Sequence, residues 1–174
     1  MMSTQFQKLQ LQNDLEHAFG IKIVAPLSGQ VQSLASAADP IARSGWYGEG
    51  VVITPQQPNL VAPFDGRIQR HNQNGELISF IHANGLRLDV RFPVNQLMHG
   101  QGYLWQLPWQ SQVRRGQLVM QFDPLILAHS FNPLCCVITV QDHPRFSRIL
   151  STANYVQAGI DILLVIELKE SLAV

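Results

Sequence analysis

The chain has 174 residues, 46% of them hydrophobic and only 14% charged, with twelve lysines and arginines against twelve aspartates and glutamates. That length is enough to bury a real core in one domain, and the zero net charge argues against a strongly basic nucleic-acid-binding surface while leaving room for a local basic patch. No apolar run approaches the ~20 residues of a bilayer span, and the N-terminus lacks the basic start and apolar stretch of a secretory signal, so a cytoplasmic location is expected.

Residues 1–20 are expected to form a leader or an amphipathic helix ahead of a domain over 21–170. Phe6, Leu9, Leu15 and Phe19 recur at partly helical spacing and Gly20 supplies a stop. The polar face carries a single lysine, Lys8, which gives the segment only a weak pull toward an anionic membrane, so packing on the domain or disorder is expected ahead of a membrane role. From Ile21 the texture turns to β. IKIVAPL, VVITP, NLVAPF, GRIQRH, ELISFIH, LRLDVRF, LVMQF, CCVITV and DILLVIEL are short runs rich in β-branched and aromatic residues. Pro-Leu-Ser-Gly, Gly-Glu-Gly, Phe-Asp-Gly and Asn-Gln-Asn-Gly turns separate them, which predicts an antiparallel sandwich or barrel. Two short helices are expected, over 123–130 with Asp123 as N-cap and Pro124 at the first helical position, and over 144–151.

IVAPLSGQVQSL at 23–34 and LVAPFDGRIQRH at 60–71 share one design, a strand entering Ala-Pro, a turn closed by glycine and a strand leaving. Proline presets such a turn and glycine accepts a positive φ. The repeat implies a duplicated hairpin unit, two related lobes of one sandwich. Cys135 and Cys136 are neighbours in a predicted strand, so their side chains point to opposite faces and form neither a disulfide framework nor a metal knuckle. Trp105 and Trp109 form an exposed aromatic loop or else pack in the core or at an edge.

IKIVAPLSGQV, YGEGVVITP, NLVAPFDGRI, NGLRLDVRF, VRRGQLVMQFD and FNPLCCVIT, in this order over about residues 21–168, together resemble the glucose-type IIA family of the bacterial sugar phosphotransferase system. The resemblance implies an antiparallel β-sandwich, no cofactor and no metal, and protein partners: components of the phosphotransferase system, or a regulated enzyme or permease. It also implies a phosphoacceptor histidine in a strand that reads G-x-E-x-L-[VI]-H-F-G in the family, with a second histidine supporting it. Aligned on Gly85, Arg91 falls on the first histidine and Glu76 on the second, while Pro93, Asn95 and Gln96 replace the family's Gly, Asp and Thr. A phosphorelay needs a neutral imidazole lone pair, and arginine stays protonated and offers donors only.

The expected site is therefore a degenerate one with no catalytic residue, Arg91 and Glu76 forming an ion pair across adjacent strands. Phe92, Val94 and Trp46 leave an apolar binding face, and Asn95 removes an acidic contact. The expected role is that of a regulator or adaptor. The alternatives are a working phosphocarrier that uses another histidine, His71, and a structural homologue with an unrelated ligand. His82 sits in a His-Ala-Asn-Gly run that resembles zinc endopeptidases of related fold, but no His-x-His strand pair accompanies it. It is expected as a half-buried residue beside a turn.

Overall fold

Alternating apolar residues can bury one face of a strand while the other faces water or a second layer. In the computed structural model, which describes residues 8–70, 76–93, 102–123, 125–127 and 134–170, this patterning becomes fifteen strands among the described residues. They are β1 (Leu9–Leu11), β2 (Ile21–Val24), β3 (Gly29–Ser33), β4 (Glu49–Pro55), β5 (Asn59–Val61), β6 (Gly66–Arg70), β7 (Leu77–Ile81) and β8 (Arg87–Arg91). The series continues with β9 (Tyr103–Trp105), β10 (Gln112–Val113), β11 (Leu118–Phe122), β12 (Cys136–Val140), β13 (Phe146–Ser151), β14 (Tyr155–Val156) and β15 (Ile162–Leu168).

Eight strands form one sheet in the order β10-β6-β7-β8-β12-β4-β3-β14, and two smaller sheets run β1-β13-β15-β2 and β5-β11-β9. Every pairing is antiparallel except β1 with β13. One core cluster joins all three sheets: Ile53, Phe80, Leu88 and Ile138 from the large sheet meet Ile23, Ile149, Leu164 and Ile166 from one small sheet and Leu60 and Met120 from the other. Burying each such side chain is worth roughly 1.5–3 kcal/mol.

The repeat read in the sequence is a repeat in space. The turn at Pro26 and the turn at Pro63 grip each other, Val24 N–H donating to Pro63 O at 3.3 Å and Val61 N–H to Pro26 O at 2.9 Å. Ser28 Oγ accepts from Ala158 N–H and Asp65 Oδ1 from Arg115 N–H, at 2.9 and 2.7 Å. The large sheet reads alike from either edge once β3 is equated with β6, β4 with β7, β12 with β8 and β14 with β10. The registers agree, Val31 pairing with Ile53 as Ile68 pairs with Phe80.

Two expectations fail. Residues 8–20 contain no helix; Leu9–Leu11 is an edge strand, and the segment takes the other course expected of it, packing on the domain. Its apolar residues serve different places: Leu9 lies against the main core, Leu15 covers Leu150 and Val165, and Phe19 is exposed. Residues 146–151 form a strand, not a helix. Phe146, Ile149 and Leu150 mimic helical spacing because a bulge lies between Phe146 and Arg148 and because Ile149 is covered by the core and Leu150 by Leu15. Within 123–130, Asp123 Oδ1 accepts from the N–H groups of Leu125 and Ile126 at 2.9 and 3.2 Å and residues 125–127 are helical, as its capping role requires; Pro124 and 128–130 lie outside the described residues. The 3-10 turn Leu34–Ser36 and the helix α1 (Pro40–Arg43) have no counterpart in the sequence reading.

Candidate functional site

Period-two alternation along β8 sets Leu88 and Val90 into the core and Arg87, Asp89 and Arg91 onto the opposite face of the large sheet. Cross-strand register supplies their neighbours. Ser79 on β7 and Thr139 on β12 stand level with Asp89, and Leu77 and Val137 level with Arg91. Asp89, 7% exposed, becomes the hub: it accepts from Ser79 Oγ at 2.5 Å, from Arg87 Nε at 2.9 Å and from Arg91 Nη2 at 3.1 Å. Arg91 also donates from Nη1 to Thr139 Oγ1 at 2.9 Å.

The lid over this face is the chain from Leu34 to Tyr47. Asp39 caps α1 by accepting from Ile41 N–H at 2.8 Å, and Pro40 fills the first helical position, where its missing N–H is not needed. Arg43 ties the segment down by donating to the carbonyls of Ala37 and Ala38 at 2.7 and 3.0 Å. Ala37, Ala42, Val52 and Val137 form a second small core beneath it. The lid ends with Tyr47 stacked over Arg91, the guanidinium 3.9 Å from the ring centroid. Burial, followed by the carboxylate of Asp39, pushes the Tyr47 phenol above its usual pKa, against the opposite pull of Arg91.

Between lid and sheet lies a pocket of about 390 Å³, lined by Asp39, Tyr47, Leu77, Arg91, Cys135 and Val137 together with Glu76, Phe92 and Pro93. Arg91, Glu76 and Phe92 all line this pocket, but Arg91 and Glu76 do not pair with each other. The ion pair that Arg91 makes is with Asp89, not Glu76. The reason is parity. Leu77 stands opposite Arg91, so Glu76 falls level with Phe92, whose N–H donates to Glu76 O at 2.8 Å. Phe92 offers little open surface, being 3% exposed and held edge-on by Tyr103 and Phe122 at centroid distances of 5.5 and 5.2 Å. Trp46, 81% exposed, borders the neighbouring hollow with Arg87, Asp89 and Arg91.

Val94, Asn95 and His71 lie outside the described residues. His82 is half-buried beside its turn, with Nδ1 accepting from Asn84 N–H and the ring edge-on to Phe64. Among the described residues no group of three histidine, cysteine or acidic side chains is placed to hold a metal ion. Nor is any of their helices long and apolar enough to cross a membrane. Sequence reasoning missed Asp89, Thr139 and Tyr47. For Asp89 the signal was present, since Arg-x-Asp-x-Arg on a strand places three charges on one face; nothing local marks Thr139 or Tyr47, which arrive by register and by the fold of the lid.

The family model described as phosphoenolpyruvate-dependent sugar phosphotransferase system, EIIA 1, matches residues 21–146. Over 131 residues the chain is 25% identical to the PTS system glucose-specific EIIBCA component of Corynebacterium glutamicum, covering 75% of this chain and only 19% of that longer protein. The glucose permease IIA from Mycoplasma capricolum superposes with a TM-score of 0.75 at 16% identity, over 85% of this chain and 96% of that one. At that identity the superposition establishes the β-sandwich fold alone.

Proposed function

Because the chain belongs to the EIIA 1 family of the phosphoenolpyruvate-dependent sugar phosphotransferase system, we propose that it is a cytoplasmic regulatory or adaptor protein of such a system that carries no phosphate itself. One observation supports this reading: the Arg91 guanidinium, which alignment on Gly85 sets against the family's phosphoacceptor histidine, is held by Asp89, Thr139 and the Tyr47 ring. A guanidinium has no lone pair to attack phosphorus. Its donors already serve two neighbours in the protein. The same alignment sets Glu76 against the supporting histidine, and a carboxylate there accepts hydrogen bonds and donates none.

The face around the pocket then works by contact. The pocket offers a mostly apolar floor of Leu77, Val137 and Cys135, framed by Asp39 and Tyr47, with the exposed indole of Trp46 beside it. An apolar centre with a polar rim is the usual anatomy of a protein interface. Partners of this face are other components of the phosphotransferase system or an enzyme or permease regulated with it; the N-terminal segment adds at most a weak membrane contact.

The test is incubation of the protein with radiolabelled phosphoenolpyruvate, enzyme I and the histidine-containing phosphocarrier. The expected result is no acid-labile label on the chain. Label that disappears in a His71→Ala variant would establish the alternative, a working phosphocarrier using His71, and end the adaptor reading.

A further inference from the structure

Among the described residues, the duplication gives one half of the molecule a part without a counterpart in the other half. β13 and β9 are counterparts. Ile149, Leu150 and Ser151 pair with Ile166, Val165 and Leu164 of β15, as Tyr103, Leu104 and Trp105 pair with Phe122, Gln121 and Met120 of β11. β15 and β11 in turn meet β2 and β5 with a register shift at equivalent places, between Ile162 and Leu164 and between Leu118 and Met120.

On β13 those three residues carry a fourth strand. β1 lies parallel along them, Leu9, Gln10 and Leu11 level with Ile149, Leu150 and Ser151. Ile149 N–H donates to Lys8 O at 2.9 Å and Gln12 N–H to Ser151 O at 2.7 Å. The chain then folds back so that Leu15 and Ala18 lie on Leu150 and Val165, and Leu150 is left 2% exposed. On β9 no described strand lies along the outer edge, and Leu104, the counterpart of Leu150, is 62% exposed. Leu125, 77% exposed, stands with Leu104, Tyr103 and Phe122 around a hollow of about 590 Å³. One leucine is covered by an extended arm and its twin is bare.

We propose that the outer edge of β9 is a docking site for an extended peptide segment of a partner protein. The segment adds as a fourth strand parallel to β9 and then lays an aliphatic residue over Leu104, as residues 8–18 do over Leu150. Main-chain hydrogen bonds to the edge supply affinity, and the aliphatic contact selects the sequence. We assign the edge to a different protein, since the described arm of this chain is engaged on β13, fastened by Lys8 Nζ to Asp142 at 2.6 Å and by Lys8 N–H to Glu49 Oε1. The inference is independent of whether any histidine carries phosphate.

The probe is a synthetic peptide with the sequence of residues 8–19, KLQLQNDLEHAF, the one segment seen to fit the counterpart edge. It is titrated into the isotope-labelled full chain and followed by NMR and amide hydrogen exchange. The expected result is saturable binding with shifts confined to β9, its neighbours and Leu125, and slowing of Tyr103 amide exchange by about ten-fold or more. Leu104→Asp, on an exposed side chain, leaves the spectrum of the fold intact and weakens binding by roughly ten-fold or more. No shift at β9 overturns the proposal, as does binding unaffected by Leu104→Asp. So does a Tyr103 amide already as protected as that of Leu104 in the free protein, which would mean the edge is filled. A self-association seen by sedimentation and abolished by Leu104→Asp would put a second copy there instead.

Discussion

Asp89→Ala is the sharpest test of how the pocket floor is built. The substitution removes a nearly buried carboxylate that accepts from Ser79, Arg87 and Arg91, and leaves two guanidinium groups side by side without it. Removing one partner of a fully buried ion pair costs roughly 3–5 kcal/mol. Here the Arg87 and Arg91 side chains remain 30% and 19% exposed, so water recovers part of their solvation. The expectation therefore falls to about 2–3 kcal/mol, or a lowering of Tm by roughly 4–12 °C for a chain of this size. Urea unfolding followed by tryptophan fluorescence measures it. Double-mutant cycles then locate the pairing: Arg91→Met with Asp89→Ala is expected to show a coupling of about 1 kcal/mol or more, and Arg91→Met with Glu76→Gln less than about 0.5 kcal/mol. A larger coupling to Glu76 than to Asp89, or an Asp89→Ala chain as stable as the parent, would refute the reasoning.

Three other outcomes follow from the packing. Gly50→Ala places a Cβ 1.8 Å from Ile138 O in a central strand and is expected to cost more than about 3 kcal/mol, whereas Gly85→Ala, at φ +89° with nothing within 4 Å, costs only the ~1–2 kcal/mol of a left-handed backbone; one denaturation series compares them. Ellman's reagent is expected to titrate one thiol in the native protein and two after unfolding, because Cys135 is half-exposed while Cys136 is buried, its thiol pushed well above the usual pKa by desolvation. Burial, with lesser pushes from Cys136 and Glu76, also raises the Tyr103 phenol, so an absorbance titration should leave one tyrosine un-ionised until the chain unfolds. Since an unfolded tyrosine loses its proton near ~10 and the folded one does not, the stability contributed by Tyr103 is present below that pH and declines above it.

Much of this was legible along the chain. The short apolar runs and their Pro/Gly turns fixed where the strands β2, β4–β8, β11, β12 and β15 fall, because a strand's alternation and a turn's φ values are local properties. The shared Ala-Pro…Gly unit announced the duplication, and Arg91, Glu76 and Phe92, singled out by alignment on Gly85, line one pocket. What local pattern could not carry was which residues stand level across strands. A shift of one residue decides whether Arg91 meets Glu76 or Leu77, and that register belongs to two strands at once. Coverage was equally hidden. Leu150 and Leu104 look alike in sequence, yet one lies under Leu15 and the other faces solvent, since only the path of a distant segment decides which apolar residue is covered.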